Sequence, residues 1–275
     1  MVGEDVLMPD GYIKIFEPLS NDLDIKKETI VSGIKVSGDK INIETNKGNF
    51  QADYVIVTIP LGVLKSNQIT FSPELSVAKK NAIQKMSFGI LEKFIVEFTE
   101  VFWDNYNLMR ILNYPVSPFN WFVNFYKVAG KKTLIFLIGG NAEGLDIYNT
   151  PKDKLEQMLV NLLKSIFPNK NVQVSKSIIT NWKNDPFSLG AYTSYGIGAD
   201  PSMVKELARR EGNILFAGEH TDQAKIQTVR GAYLSGKRAA QEILSSPDIA
   251  KSSHGTLHYL SKFFYLSFGF FYLLI

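Results

Sequence analysis

Residues 54–59, Tyr-Val-Ile-Val-Thr-Ile, form a nearly continuous β-branched run that ends at Pro60. A strand with one wet face alternates apolar and polar side chains. A strand that is apolar throughout must be covered on both faces, so it needs neighbours in a sheet and layers above and below. This segment therefore belongs in the middle of a sheet. The 275 residues, 45% hydrophobic and 21% charged, are enough to build those layers. The length is about twice the common domain size of roughly 100–150 residues, which predicts two packed units or one large α/β unit and excludes disorder over the bulk of the chain.

The flanking sequence supplies candidate neighbours. Thr29 to Val36 and Lys40 to Thr45 alternate apolar with polar, and Ser37-Gly38-Asp39 and Asn46-Lys47-Gly48 carry turn chemistry. With Asn49 to Ala52 these segments predict a β-meander. Ahead of it, Tyr12, Ile13, Ile15, Phe16 and Leu19 recur at a helical period and stop at Ser20-Asn21-Asp22, which predicts one short amphipathic helix. Between Leu61 and Lys176 the texture is mixed, with helices near Glu74 to Lys85 and Pro151 to Phe167 and strands near Leu91 to Phe98 and Thr133 to Ile138. From Trp182 onward come Gly- and aromatic-rich loops, a strand at Asn213 to Phe216 and a helix from Thr228 to Leu244. Along that helix Gly231, Ala232, Gly236, Ala239 and Ala240 permit close backbone approach. The fold class is α/β with α+β mixing, divided into segments 1–60, 61–180, 181–246 and 247–275.

Composition excludes several functions. A net charge of +3 from 30 basic and 27 acidic residues is too small and dispersed for a nucleic-acid footprint. Cysteine is absent, which removes disulfides, thiolate nucleophiles, iron–sulfur clusters and any flavin attached through a cysteine. Three histidines, His220, His254 and His258, give no expected metal site. His254 and His258 read as solvated. The first ten residues hold Glu4, Asp5 and Asp10 and no apolar core, so no secretory signal is read there and a cytoplasmic location is expected.

The chemistry concentrates in one segment. Asn213-Ile-Leu-Phe-Ala-Gly-Glu-His-Thr221, six further residues, then Thr228-Val-Arg-Gly-Ala-Tyr-Leu-Ser-Gly236 reads as a strand, a turn opened by Gly218, and a helix whose first amides are free. Such a helix start offers unpaired N–H groups and partial positive charge to an electron-rich group. Either half alone would be ordinary packing. Together they resemble the C-terminal flavin-binding signature of the flavin-containing amine oxidases. Asp53-Tyr-Val-Ile-Val-Thr-Ile-Pro-Leu-Gly-Val-Leu-Lys65, Ser87-Phe-Gly-Ile-Leu-Glu-Lys93 and Asn181-Trp-Lys-Asn-Asp-Pro-Phe-Ser-Leu-Gly-Ala-Tyr192 occur in that family's order, and the resemblance covers about residues 10 to 245. It is strongest to the polyamine oxidase and lysine-specific histone demethylase branch.

The resemblance implies an FAD domain built from discontinuous segments with an inserted substrate domain of mixed sheet and helices. It implies that Val31 meets the adenine end of FAD, Glu219 the ribityl-diphosphate arm, and Thr228 with Val229 the flavin ring. Trp182 and Phe187 lie where the family has ring-contacting aromatics. Lys93 matches the lysine that binds a water facing flavin N5, although a lone lysine between Leu91 and Phe94 would ordinarily snorkel to the surface. Tyr192 matches one wall of an aromatic cage that orients an amine by cation–π attraction, and Thr228 stands at the opposite wall. Ala191 stands where some relatives carry a flavin-linking cysteine, so FAD would be held non-covalently.

The sequence also departs from that family. No Gly-x-Gly-x-x-Gly follows a strand; Gly3, Gly11 and Gly33 have the wrong spacing. The ADP-binding half is thus expected to be missing, as in a truncated form, which argues against FAD binding by this chain alone and for oligomerisation or aggregation of the isolated chain. Residues 263–275 are apolar and uncharged, short of the roughly 20 residues a spanning helix needs; a read-through tail or a weak membrane anchor are the readings. The expected function is FAD-dependent oxidation of a polyamine-like amine with release of hydrogen peroxide. The alternatives are a catalytically silent binding or regulatory fragment, or a histone lysine demethylase-like protein.

Overall fold

The computed structural model describes residues 8–21, 23–112, 117–139 and 147–246, and the backbone of 265–266. His254, His258 and the rest of the apolar tail lie outside the described residues. The chain forms two compact units, one built mainly from Ile90–Lys183 and the other from Ile15–Gly89 together with the chain from Asn184 onward. Sequence texture places the first change at Leu61. The break instead comes after Gly89, because helices Leu61–Ser66 and Val77–Lys85 bury Leu61, Val63, Leu64, Ala82 and Ile83 in the same core as the strands before them.

In the discontinuous unit the meander forms as the sequence predicts. Strands Val31–Ser37, Lys40–Thr45 and Gly48–Ala52 pair antiparallel, and Thr70–Ser72 joins the first of them in parallel. Ile34 pairs with Ile43 and both are buried, while Lys35 on the opposite face is exposed. Gly38, at φ +60°, supplies the left-handed turn between the first two strands.

Strand Val55–Val57 lies between Ile214–Phe216 and Tyr265–Leu266, parallel to both. Val55 and Val57 enter the core shared with Ile34 and Ile43, whereas Ile56 enters a second core with Leu215, Ala217, Ala239 and Ile243. Both faces are therefore covered, as the apolar run requires. The strand is shorter than that run, because Pro60 caps the Leu61–Ser66 helix and the chain turns away.

The helix expected at Tyr12 to Leu19 is instead a 3-10 turn, Tyr12–Ile15, and then one α-turn, Glu17–Ser20, with no buried residue in either. Pro18 falls in the first turn, where it starts a helix but cannot continue one from upstream.

The 90–183 unit holds a five-stranded antiparallel sheet. Its order is Val174–Ile179, Leu91–Phe98, Thr133–Gly139, Trp121–Asn124 and Leu108–Arg110. Phe94, Phe136 and Phe122 align across three strands on one face. Leu155, Leu159, Leu162 and Leu163 of helix Lys152–Ile166 join the same core, an i, i+4, i+7, i+8 stripe. Trp103 stacks edge-on against Phe98 and Phe102, and its indole N–H donates to Asn124 Oδ1 at 2.9 Å. Among the described residues no helix is long and apolar enough to cross a membrane.

Among the described lysines, Lys79 is fully buried. On helix Val77–Lys85, it donates from Nζ to the Glu206 and Leu207 carbonyls at 2.7 and 2.9 Å, at the C-terminal end of helix Pro201–Ala208. The ammonium also sits 4.0 Å from the Phe216 ring centroid. Those carbonyls and the ring are the partially negative groups a cation favours. Desolvation still dominates: Lys79 is pushed down to about 8, with Glu211 and Glu206 opposing the shift. Because the unfolded chain holds this proton to higher pH, stability should rise as pH increases from about 8 to about 10.5, by a contribution on the order of 3 kcal/mol. Denaturant unfolding of the chain and of Lys79→Met across that interval should show the slope only in the former; parallel curves would remove the buried ammonium as its source.

Candidate functional site

The strand Ile214–Phe216 delivers the chain to the site. All three side chains are buried, and the Ala217 amide still donates to the Val57 carbonyl at 2.9 Å, extending the parallel ladder by one bond. Gly218 then turns at φ +132°, a region closed to side chains; a Cβ there would lie 2.6 Å from the His220 ring. Its amide donates to Ser235 Oγ at 2.8 Å, which fastens the turn to helix Val229–Leu244. The 3-10 turn Glu219–Thr221 is buried throughout. Burial, with the Lys79 charge nearby, pushes His220 down to about 3, so its imidazole is neutral.

Glu219 connects this turn to two other segments. Its Oε1 accepts from the Thr193 amide at 3.1 Å and the Thr193 hydroxyl at 2.6 Å, and its Oε2 accepts from the Gln227 amide at 3.0 Å. Burial pushes the carboxyl above its usual range, and these three hydrogen bonds pull it part of the way back. Thr193 belongs to strand Tyr192–Ser194, which pairs with Ser87–Gly89. Successive strand side chains point to opposite faces. Thr193 is therefore directed to Glu219, and half-buried Tyr192 faces the other way.

Gln227 holds a left-handed conformation at φ +69°, which a non-glycine residue adopts only when its surroundings enforce it. Next to it, the Thr228 hydroxyl donates to the Lys225 carbonyl at 2.6 Å and accepts from the Gly231 amide at 2.9 Å, an N-cap for the helix. Asp222 Oδ1 folds the intervening loop by accepting from the Ala224 and Lys225 amides. The amides of Val229 and Arg230 have no acceptor among the described residues. They are the free donors of a 16-residue helix.

Lys93 lies in the other unit. It occupies strand Leu91–Phe98, on the face opposite Phe94 and Val96, and is half-buried. Burial lowers its pKa, with Glu92 partly opposing. Glu92 itself points into the interior, where its carboxylate accepts from the Thr180 hydroxyl at 2.6 Å, the Trp182 and Lys183 amides at 3.1 Å each, and the Tyr148 hydroxyl at 3.4 Å. No ion pair or hydrogen bond engages the Lys93 ammonium among the described residues.

Through Thr193 and Gln227, Glu219 thus links the strand that carries Tyr192 to the loop that leads into Thr228 and Val229. Phe187 belongs to the same unit but is exposed, after an Asx turn in which its amide donates to Asp185 Oδ1 at 2.8 Å. Val31 starts the meander, half-buried against that sheet's core. Trp182, whose amide donates to Glu92, and Lys93, beside Glu92 in the strand but on its other face, both belong to the 90–183 unit. Sequence reasoning missed Thr193, Gln227 and Ser235, the residues that fix the turn. Their signal is weak, since each acts through a backbone amide or one hydroxyl.

Gly231 reports on this geometry. A Cβ there would collide with the Lys225 carbonyl oxygen and crowd its carbonyl carbon at 2.9 Å. Gly231→Ala should therefore displace the 222–228 loop and cost about 1–3 kcal/mol, seen as a lowered midpoint in thermal unfolding. Gly236, which has open space around it, is the control: Gly236→Ala should be neutral or stabilising.

Residues 1–244 match the family described as flavin containing amine oxidoreductase. The chain is similar to polyamine oxidase 3 of Oryza sativa subsp. japonica, 32% identical over 241 residues that cover 87% of this chain and 49% of the relative. It is also similar to lysine-specific histone demethylase 1 homolog 3 of the same rice, 31% identical over 253 residues covering 88% and 31%. With lysine-specific histone demethylase 1 homolog 2 of Arabidopsis thaliana it shares 31% identity over 261 residues covering 92% and 35%. The chain spans about half the length of this polyamine oxidase and about a third of these demethylase homologues. It is a member of the flavin containing amine oxidoreductase family.

Proposed function

We propose that this chain carries ring-facing and amine-facing residues of an FAD-dependent oxidase for a polyamine-like amine. The observation that supports the reading most is the helix start at Val229. Two amides without an acceptor among the described residues stand at the positive end of a 16-residue helix, on a loop fixed by Thr228, Gly231 and the buried Glu219. These residues fit the electron-rich edge of a flavin ring, to which such amides donate without reorganising. When bound, the flavin supplies the two-electron acceptor for the C–H bond beside an amine nitrogen and returns to its oxidised form with dioxygen, releasing peroxide. With no cysteine in the chain, no cysteinyl link forms.

The remaining roles fall to this chain's side chains. Tyr192 offers a ring face on which a cationic amine is oriented before it gives up its proton. Lys93, whose ammonium makes no ion pair among the described residues and sits in partly apolar surroundings, is a positive charge able to stabilise negative charge developing beside it. Its lowered pKa also brings it closer to the range where an amine exchanges protons.

A second reading, a catalytically silent binding protein, has one observation in its favour: the sequence holds no Gly-x-Gly-x-x-Gly turn for the diphosphate.

One preparation separates the two. The 275-residue chain is saturated with FAD, freed of excess, and read between about 350 and 500 nm, where bound flavin absorbs; peroxide is then assayed with spermine, N1-acetylspermine and a simple monoamine. A flavin band with peroxide from a polyamine is expected. A colourless, peroxide-free preparation would leave the silent reading, and peroxide from the monoamine alone would overturn the substrate class. In the flavin-loaded protein Lys93→Met should slow flavin reduction or reoxidation at least about tenfold, on the order of 1.4 kcal/mol, with the flavin still bound. Unchanged kinetics would assign Lys93 to packing alone.

A further inference from the structure

We propose that Glu219 is a positioning residue: one buried carboxylate ties the strand that carries Tyr192 to the loop that carries the Val229 amide, and so sets the spacing between them. This deepens the functional reading above and rests on it for the meaning of that spacing. The resemblance to the family implies that Glu219 meets the ribityl-diphosphate arm, and in this chain its carboxylate also accepts from protein donors.

An ionised carboxylate offers about four acceptor sites. Three are filled from two remote segments, two by Thr193 and one by Gln227. No cation pairs with Glu219 among the described residues, so its charge is stabilised by these hydrogen bonds alone. A buried charge without a counter-ion is costly, and it is retained only where its hydrogen bonds are satisfied.

The two anchored points are the residues whose geometry matters. Thr193 comes directly after Tyr192 in an extended strand, so fixing Thr193 on one face fixes Tyr192 on the other. Gln227 precedes the Thr228 cap and stands two residues before Val229. Its left-handed backbone is held by the bond from its amide to Glu219 Oε2. Without that bond the loop loses the contact that enforces φ +69° at a glutamine. The ionisable and charged groups around the carboxylate do not replace it: His220 is neutral, Arg238 is bonded to Glu242 and to the Phe216 carbonyl, and Asp222 faces its own loop amides.

The test reads the tie itself, in the full chain and independently of turnover. Glu219→Gln keeps the shape but turns one acceptor into a donor that faces donors. Thr193→Val keeps the shape and removes only the hydroxyl, and Thr193→Ser restores it. Amide hydrogen exchange at 222–231 and at 192–194 should quicken by about tenfold or more in Glu219→Gln and Thr193→Val, the scale of one lost charge-assisted hydrogen bond. It should stay near that of the parent chain in Thr193→Ser, and exchange in strands 55–57 and 214–216 should be unchanged in all three. The double variant Glu219→Gln/Thr193→Val should be no faster than Glu219→Gln, because both act on one tie.

Parent-like exchange in Glu219→Gln, or additive effects in the double variant, would overturn the proposal. Should Glu219→Gln fail to fold, Thr193→Val and Thr193→Ser carry the same decision through the hydroxyl alone. FAD added to the parent chain decides the functional reading separately, since an unbound flavin leaves the exchange result intact. A tie confirmed by exchange whose loss leaves FAD affinity and the flavin absorption of a loaded chain unchanged would overturn its positioning role.

Discussion

The parallel pairing of 55–57 with 214–216 is the constraint on which the discontinuous unit depends. It joins segments that lie before and after residues 90–183 in the sequence, and it is buried on both faces. Val55 and Val57 enter the core shared with the meander, and Ile56 and Leu215 enter the one lined by Ala239 and Ile243. A strand so placed cannot slip by one residue without exchanging the contents of both cores. The site inherits this rigidity. The Ala217 amide continues the ladder, Gly218 turns off its end, and the buried turn begins one residue later.

Around that ladder and in the 90–183 unit alike, the buried charges share one solution. Lys79 is held by two helix-terminal carbonyls and a ring face, Glu92 by two amides and two hydroxyls, and Glu219 by two amides and one hydroxyl. None of them is neutralised by a close ion pair among the described residues. Backbone dipoles and hydroxyls can satisfy a charge while fixing the direction of the segment that supplies them, which an exposed ion pair of flexible side chains does not do. Each of these residues therefore joins segments distant in sequence. Lys79 ties its helix to the end of the 201–208 helix, and Glu92 ties its strand to the start of the Trp182 turn.

Thr228 and Gly231 shape the helix start by a cap and by the absence of a Cβ, and the result is a pair of free amides at Val229 and Arg230. Lys93 is the contrasting case. It shares the strand that anchors Glu92, yet its own ammonium is left without a partner among the described residues, in surroundings that disfavour the charge.

Much of this was legible in sequence because it depends on short-range pattern. The alternation of the meander, the apolar run at 54–59 and the helix near Pro151 to Phe167 are local statements about period and turn chemistry. The strands Leu108–Arg110 and Val174–Ile179 were not predicted; the first has only three residues and the second a bulge, so neither shows a clear period of two. The Tyr12 to Leu19 pattern had the right period, but none of its residues is buried. Sequence also named Glu219, Thr228, Val229 and Lys93 by motif. Only the folded chain decided that the Glu219 carboxylate bonds Thr193 and that Lys79 is buried against the carbonyls of Glu206 and Leu207. Those facts are hydrogen bonds and burial between residues far apart in the chain, and side-chain period and local propensity carry no information about distances of that kind.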